Sequence, residues 1–424
     1  MQVINIALLG FGNIGTGVYR LIEKHRQNIL EKEGYLLQIK RILVRDVNRK
    51  REYPEDKSLL TDNPDDIFND PDISVVAEFI GGESPAAELL VKALNHGKSV
   101  VTANKEVVAK RWEELDAAAR TTGVGLYYEA SAGGVIPVIR TIQESLQANR
   151  IHRVMGIING TTNYILTKMS EQQISFSDAL KEAQQLGYAE PDPTADVEGY
   201  DARFKLSILS TLCFHKRVHI DNILCEGITA ITADDIAYGR ELGYGIKLLG
   251  IAKDTDGKVE VRVHPTFIPL HHPLASVRGS FNAIFLSGDA CDDMMLYGRG
   301  AGDLPTASAI VADILAAVKN KGMHRYLDFQ EKTPSAACNE DWLTEYYIRL
   351  TVKDQPGVLG EIAGIFGKYQ VSIASVIQKG RGGQTAPLIF VTHEAAEQSV
   401  AKAIREIGTS PFVVSMDNLI RVER

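Results

Sequence analysis

The apolar run "INIALL" passes without interruption into "GFGNIGTG", placing Gly10, Gly12 and Gly15 as GxGxxG ten residues into the chain. Few arrangements let a strand feed a helix through three such glycines. Gly10 permits a tight turn, Gly12 leaves the backbone open to close approach, and Gly15 lets the helix lie against the strand. The unpaired N–H groups at the start of that helix then favour a phosphate. In a flavodoxin-like sheet a glycine-rich turn need hold no dinucleotide. Within a strand–helix–strand unit that begins at residue 4, however, it points to dinucleotide binding. "MQVINIALLG" has no charged n-region, so it reads as a first strand and not as a signal peptide.

The same alternation continues to about residue 130, with strands expected at "IKRILVRD", "SVVAEFI", "KSVVTAN" and "GLYYEAS". Helices are expected at Gly17 to Leu30, Pro85 to His96 and Val107 to Thr122. Short apolar strands between amphipathic helices predict a parallel sheet covered on both faces. The second strand ends in Arg45-Asp46. An acid there suits a ribose 2′-hydroxyl and an arginine a 2′-phosphate, so the pair reads as NAD(P) with NADP ahead of NAD. A surface ion pair is the plainer alternative. Beyond residue 130, "RVMGIIN" and "NAIFLSGD" are candidate strands. Residues 257–268 alternate after a "DTDGK" turn as antiparallel sheet does, and an apolar helix runs from about Thr306 to Lys319. After a polar stretch the pattern restarts as strand, helix, strand, strand, helix, strand, a ferredoxin-like unit.

A net charge of −8 and a pI near 5.8 argue against a nucleic-acid-binding surface. No apolar run is long enough to span a bilayer, which speaks against a membrane role. The four cysteines lack CxxC spacing and fit a reducing cytoplasm. Negative charge gathers in "AEPDPTADVEGYDARFK", where Glu190, Asp192, Asp196, Glu198 and Asp201 precede Arg203 and Lys205. Asp201 and Lys205 are four apart and share one helix face. On the surface they would form a salt bridge worth ~0.3 kcal/mol. Ile208 and Leu212 continue the stripe and turn that face inward, where a partly buried lysine suits acid–base work. A calcium loop lacks its D-x-[DN]-x-[DN]-G order, and Pro191 and Pro193 interrupt it. A socket for a substrate ammonium is the more natural use of the acids. Lys105 in "VVTANKE" follows a predicted parallel strand, where open α/β sheets place ligands, although a solvated helix-start lysine would look the same. Together these parts suit a dehydrogenase for an amino alcohol: acids hold the amine, a lysine manages the hydroxyl proton, and a nicotinamide takes the hydride.

With "GFGNIGTGV", "LVRD", "VTANKE", "EASAGGVIP", "GIINGTTNYIL", "LGYAEPDPTADVEGYDARFK", "GRGAGDLPTASAIVAD" and "DQPGVLGEIA", the chain resembles homoserine dehydrogenase with a C-terminal ACT domain. The stretches follow the family's order over nearly the whole length. The acidic segment is the most specific of them. The resemblance implies an α/β protein: a Rossmann-type dinucleotide-binding domain at 1–130 plus about 300–320, then a central α+β substrate and dimerisation domain at 131–299. A linker at 321–344 and a ferredoxin-like ACT domain at 345–424 complete it. It implies Lys205 as proton donor and acceptor at the substrate oxygen, Asp201 as its orienting partner, and Lys105 as a second essential lysine near substrate and nicotinamide. Glu190 would receive the substrate ammonium, with Gly187, Tyr188, Gly160 and Thr161 close by. Phe11, Asn13, Ile14, Arg45 and Gly302 would join the three glycines at the cofactor. A monovalent cation, usually sodium, would sit on a loop matching Glu129, Ala132, Gly134 and Ile136, three of which offer only carbonyls. Many relatives carry lysine or arginine where this chain has Phe204, which leaves Lys205 in register.

The implied reaction is reversible hydride transfer between L-homoserine and L-aspartate 4-semialdehyde, in threonine, methionine and isoleucine biosynthesis. Threonine is the expected ACT effector, and a homodimer or higher homo-oligomer the expected assembly. Two other readings compete. An idle dinucleotide fold with an ACT domain could be an amino-acid sensor, but it would have no need of Lys105, Asp201 and Lys205. A glyceraldehyde-phosphate-like enzyme would need a nucleophilic cysteine, and none stands in an activating context.

Overall fold

Strand β1 (Gln2–Leu9) is buried continuously from Ile6 to Leu9, as a strand covered on both faces must be. The computed structural model describes residues 2–320, Cys338, 340–378 and 383–424, so most of the linker expected at 321–344 lies outside the described residues. The chain divides into two units, one built from residues up to 154, 204–221 and 282 onward, the other from 155–203, 222–281 and the C-terminal region.

The first unit carries β1, helix α1 (Asn13–Glu33), β2 (Tyr35–Leu43), β3 (Leu60–Thr61), α2 (Asp65–Phe68), β4 (Ile73–Glu78), α3 (Ala86–Asn95), β5 (Ser99–Thr102), α4 (Lys105–Thr122) and β6 (Leu126–Tyr127). Its strands pair in parallel in the order β3-β2-β1-β4-β5-β6. That is the doubly wound dinucleotide-binding order, which reverses direction beside β1 and so leaves a crevice at the glycine turn. Helix Asp303–Lys319 packs into the same core through Ala307, Ile310, Val311 and Ile314. "GLYYEAS" is strand only at Leu126–Tyr127. At Tyr128 the backbone leaves the extended region, and Glu129–Ser131 forms a short 3₁₀ turn, because the Glu129 N–H is taken by the Asp313 carboxylate (2.8 Å) and not by a neighbouring strand.

In the second unit, strands Tyr244–Thr255 and Lys258–Pro269 form an antiparallel hairpin. Asp256 and Gly257 close it, both at positive φ (51° and 88°), as a two-residue hairpin turn of the twist-matching kind requires. The C-terminal region alternates as expected: strand Leu343–Lys353, helix Val358–Lys368, strands Ile373–Gln378 and Thr385–Thr392, helix Glu397–Ile407 and strand Val413–Val422. The apolar faces of its two helices and its sheet close over Ile348, Leu350, Ile362, Phe366, Phe390 and Ile407. Its last strand is central: it pairs antiparallel with Leu343–Lys353 and parallel with Lys258–Pro269. Among the described residues, no helix is long and apolar enough to cross a membrane.

Candidate active site

The glycine turn of the first unit has the geometry its spacing predicts. Gly10 lies at φ +96°, and a Cβ there would stand 3.1 Å from the Phe79 carbonyl oxygen. A Cβ at Gly15 would stand 2.6 Å from the Gly10 carbonyl, so the helix could not approach the turn so closely with any larger residue. At Gly12 a Cβ would meet nothing within 4 Å, which leaves the space above the turn open. Helix α1 begins there without a side-chain cap, so the N–H groups at Asn13, Ile14 and Gly15 are presented to that space. These features fit a pyrophosphate. Phe11 packs edge-on against Tyr19 (5.8 Å between centroids). Arg45 is exposed past the end of β2, whereas the Asp46 carboxylate accepts the Asn48 N–H (2.8 Å) and so closes its own turn. Gly302, at φ +117°, caps helix Asp303–Lys319 where that helix meets Gly17.

At the carboxyl ends of β4 and β5 the same unit holds a buried polar network. Glu78 accepts hydrogen bonds from the Thr102 hydroxyl (2.6 Å) and from the N–H groups of Ile80 (2.5 Å) and Gly81 (3.4 Å). Burial pushes its carboxyl above the ordinary range, with those donors pulling the other way. Asn104 caps α4 by accepting the Val107 N–H (3.2 Å), and Lys105, half-buried, is the helix's first residue. The expectation missed Glu78, since one acid at the end of an apolar strand carries no pattern.

Lys205 lies on helix Tyr200–Phe214 and is 8% exposed; Asp201, one turn earlier, is 6% exposed. Ile208 and Leu212 on the same stripe are fully buried, so this face does point inward. Phe204, one residue before Lys205, lies under the Lys110 ammonium (5.7 Å). In the second unit, Asn159 gathers the acids: its amide nitrogen donates to Asp196 (2.7 Å) and Asp201 (2.9 Å). Its oxygen caps helix Gly160–Gln172 by accepting the Thr162 N–H (2.9 Å). Asn159 also escaped the sequence reading, although an asparagine directly before "GTT" is a legible cap signal. Thr161 donates its hydroxyl to the Tyr188 carbonyl (2.6 Å), which ties Gly160 and Thr161 to the turn holding Gly187 and Tyr188. Gly187 is at φ +75°, and Glu190 is exposed two residues beyond Tyr188. The segment before Asp201 is clamped from behind: Ile228 N–H donates to the Val197 carbonyl (2.8 Å), and Gly227 lies against Val197 and Glu198 too closely for a Cβ.

Glu129, also buried, accepts the N–H groups of Ile139 (2.7 Å) and Arg140 (2.8 Å). Burial raises its carboxyl pKa, and burial together with the Glu129 charge pushes Asp313 up to about 7 even though Arg140 reaches it at 3.1 Å. Ala132 and Ile136 are buried, and Gly134, at φ +61°, meets the Gly300 backbone where no Cβ would fit. A buried acid whose charge is penalised, beside a turn of backbone carbonyls, is chemistry a monovalent cation would relieve. Among the described residues no three His, Cys, Asp or Glu side chains gather as a ligand set. Burial raises the Cys213 and Cys225 thiols, the latter to about 11, the opposite of a nucleophile's needs.

Family models for the homoserine dehydrogenase NAD-binding domain, homoserine dehydrogenase and the ACT domain match residues 10–129, 137–315 and 346–409. The homoserine dehydrogenase of Corynebacterium glutamicum is 42% identical over 434 residues, covering 100% of this chain and 96% of its own. A solved homoserine dehydrogenase from Thiobacillus denitrificans superposes with a TM-score of 0.90 at 40% identity, over 100% of this chain and 99% of its own. A hyperthermophilic archaeal homoserine dehydrogenase in complex with NADPH aligns with a TM-score of 0.64 at 25% identity, over 75% of this chain and 98% of its own.

Proposed function

Since this chain belongs to the homoserine dehydrogenase family, and is an NAD(P)-dependent oxidoreductase with a C-terminal ACT domain, we propose the residues that perform its reaction and the ligands that tune it. Lys205 holds the proton that leaves the homoserine hydroxyl and returns it to the oxygen in the reverse direction. Asp201, held by Asn159, orients that lysine and contacts substrate. Lys105 is a second cation for the same oxygen, whose negative charge grows as the carbonyl is reduced. Glu190 receives the substrate ammonium, and Gly160, Thr161, Gly187 and Tyr188 shape its surroundings. When bound, the nicotinamide supplies or accepts the hydride at the substrate carbon. The observation that carries this reading is the burial of Asp201 and Lys205 one turn apart on one helix, where a surface ion pair would be solvated.

The cofactor is NADP before NAD. Arg45 is exposed at the end of β2 to meet a 2′-phosphate, while Asp46 is committed to its own turn. Gly10, Phe11, Gly12, Asn13, Ile14 and Gly15 hold its pyrophosphate, and Gly302 lies against it. The carbonyls of Ala132, Gly134 and Ile136 and the Glu129 carboxylate would hold a sodium ion, which would offset the buried acid's charge. Threonine is the ACT effector, a homodimer or higher homo-oligomer the working assembly, and the cytoplasm the compartment, in keeping with free Cys213, Cys225, Cys291 and Cys338.

The test is the loss of NADPH absorbance on adding L-aspartate 4-semialdehyde, repeated with NADH, for the parent chain and Lys205→Ala. Turnover should fall by at least about a hundredfold in the variant, with KM little changed. Near-parental turnover in Lys205→Ala would remove that lysine from the mechanism, and equal efficiency with NADH would remove the role given to Arg45.

A further inference from the structure

Glu78 and Thr102 take no part in the chemistry proposed above, yet they form a buried polar pair at the tips of neighbouring parallel strands. They are register partners at the ends of β4 and β5, and neither is exposed to solvent. A carboxylate at that depth is costly unless its oxygens are satisfied, and its donors are the tip of the neighbouring strand, Thr102, and the N–H groups of Ile80 and Gly81 in the loop that leaves β4. The Ile80 and Gly81 N–H groups and the Thr102 hydroxyl all donate to Glu78, which fixes the direction of all that follows. The Thr102 hydroxyl must point its hydrogen at Glu78 (2.6 Å), so its oxygen is free to accept the Asn104 N–H (3.0 Å). Asn104 then donates from its side chain to the Gly82 carbonyl (2.7 Å) and caps the helix that Lys105 begins. An unbroken chain of hydrogen bonds runs from Glu78 to the residue before Lys105. On its other side Phe79, the neighbour of Glu78, lies against Gly10 and Gly15 of the glycine turn.

We propose that Glu78, acting through Thr102, is a positioning residue for Lys105: it fixes the lysine's helix start relative to the loop that borders the glycine turn. The inference rests on the role given to Lys105 above. Apolar packing alone would place the strands but not the direction of the Thr102 hydroxyl. Glutamine at 78 would turn an amide N–H₂ either towards the Thr102 hydroxyl or towards the Ile80 and Gly81 N–H groups, and so lose one side of the cradle, and valine at 102 would remove the relay while keeping its shape.

The experiment measures kcat/KM for homoserine at saturating NADP in the full-length chain, for Thr102→Val, Thr102→Ser and Glu78→Gln, each with Lys105 present and with Lys105→Ala. Thr102→Val and Glu78→Gln should each lower kcat/KM by about tenfold or more, and Thr102→Ser, which keeps the hydroxyl, should stay within about threefold. In the Lys105→Ala background neither substitution should cost anything further. NADPH affinity by fluorescence should stay within about threefold throughout. Equal losses in both backgrounds, no loss at all, or a serine variant as poor as the valine one overturns the proposal. If Thr102→Val does not fold, Glu78→Gln carries the same comparison. Undiminished kcat/KM in Lys105→Ala alone is a different failure: it removes the lysine's role, and the positioning proposal falls with it.

Discussion

Replacing Arg349 with methionine tests how the C-terminal ACT region is held within its unit. Arg349 lies on strand Leu343–Lys353, and its guanidinium meets the Asp235 carboxylate side-on, Nε at 2.7 Å and Nη2 at 3.2 Å. Asp235 is fully buried and also accepts from the Thr232 hydroxyl (2.7 Å), Asn418 (2.9 Å) and the Tyr347 hydroxyl (3.2 Å). Removing one partner of a buried ion pair strands the other charge and costs ~3–5 kcal/mol. These donors and the Thr232 N–H (3.1 Å) remain, which puts Arg349→Met at the low end, ~3 kcal/mol, or ~6–12 °C in Tm for a unit of this size. The pH dependence separates this cause from lost packing. Burial opposes ionisation of Asp235, but Arg349, Thr232 and Asn418 outweigh it and hold the carboxyl below its ordinary value. The stabilisation it gives is therefore complete above about pH 4 and is lost only as pH falls through the lowered value. Without Arg349 the largest of the lowering partners is gone, and the carboxyl titrates higher than in the parent. Acidification below that higher pKa neutralises the stranded charge, and the gap to the parent narrows by up to ~1.4 kcal/mol per pH unit there. Thermal unfolding followed by circular dichroism at pH 7 and pH 5 reads both effects. A drop under about 2 °C at pH 7, or a gap that widens on acidification, would refute the reasoning.

Three further outcomes follow from the geometry. Gly15→Ala places a methyl 2.6 Å from the Gly10 carbonyl, so NADPH affinity by fluorescence titration should weaken by at least about tenfold; unchanged affinity would mean that the turn yields freely. Gly227→Ala pushes on Val197 and Glu198, so kcat/KM for homoserine should fall by about tenfold or more while NADPH affinity holds, and equal loss of both would point to general damage. Calorimetric titration of the full-length chain with threonine should show saturable binding in the millimolar range or below, and a flat titration there would leave the ACT region a structural element.

How much of this could be read from the sequence depends on how far apart the interacting residues lie. The glycine turn, the strand–helix order and the inward face of Asp201 and Lys205 are local patterns, set by spacings of two to five residues, and each appears in the structure as its spacing predicts. Asn159 was within reach as a helix cap, but its grip on Asp196 and Asp201, up to 42 positions away, was not. Glu78 ends an apolar strand and its partner is 24 positions on; only register placed Thr102 beside it. The early end of the strand in "GLYYEAS" has the same origin, since apolar alternation cannot reveal that Asp313 takes the Glu129 N–H after Leu126–Tyr127.

The final strand makes the point most sharply. "NLIRVER" carries three charged residues, two of which, Arg421 and Glu423, are only 3% exposed. Arg421 is held by Glu226 through two bonds (2.7 and 3.1 Å), 195 positions away, and by Glu397; Glu423 pairs with Arg262 and Lys253. These charges are buried because the strand runs parallel to Lys258–Pro269 on one side and antiparallel to Leu343–Lys353 on the other, so its end has no water-facing edge. A buried arginine without such partners would cost more than the pairing returns. The sequence therefore had to supply Glu226 and Glu397 wherever the topology brought them. Glu226 directly precedes Gly227, which backs the acidic segment, so the strand that completes the ACT sheet is anchored one residue from the support of Asp201. If threonine acts at the ACT region, the Arg421–Glu226 ion pair and the packing of Gly227 on Val197 and Glu198 link strain there to the substrate acids, and Gly227→Ala is the substitution that disturbs this link.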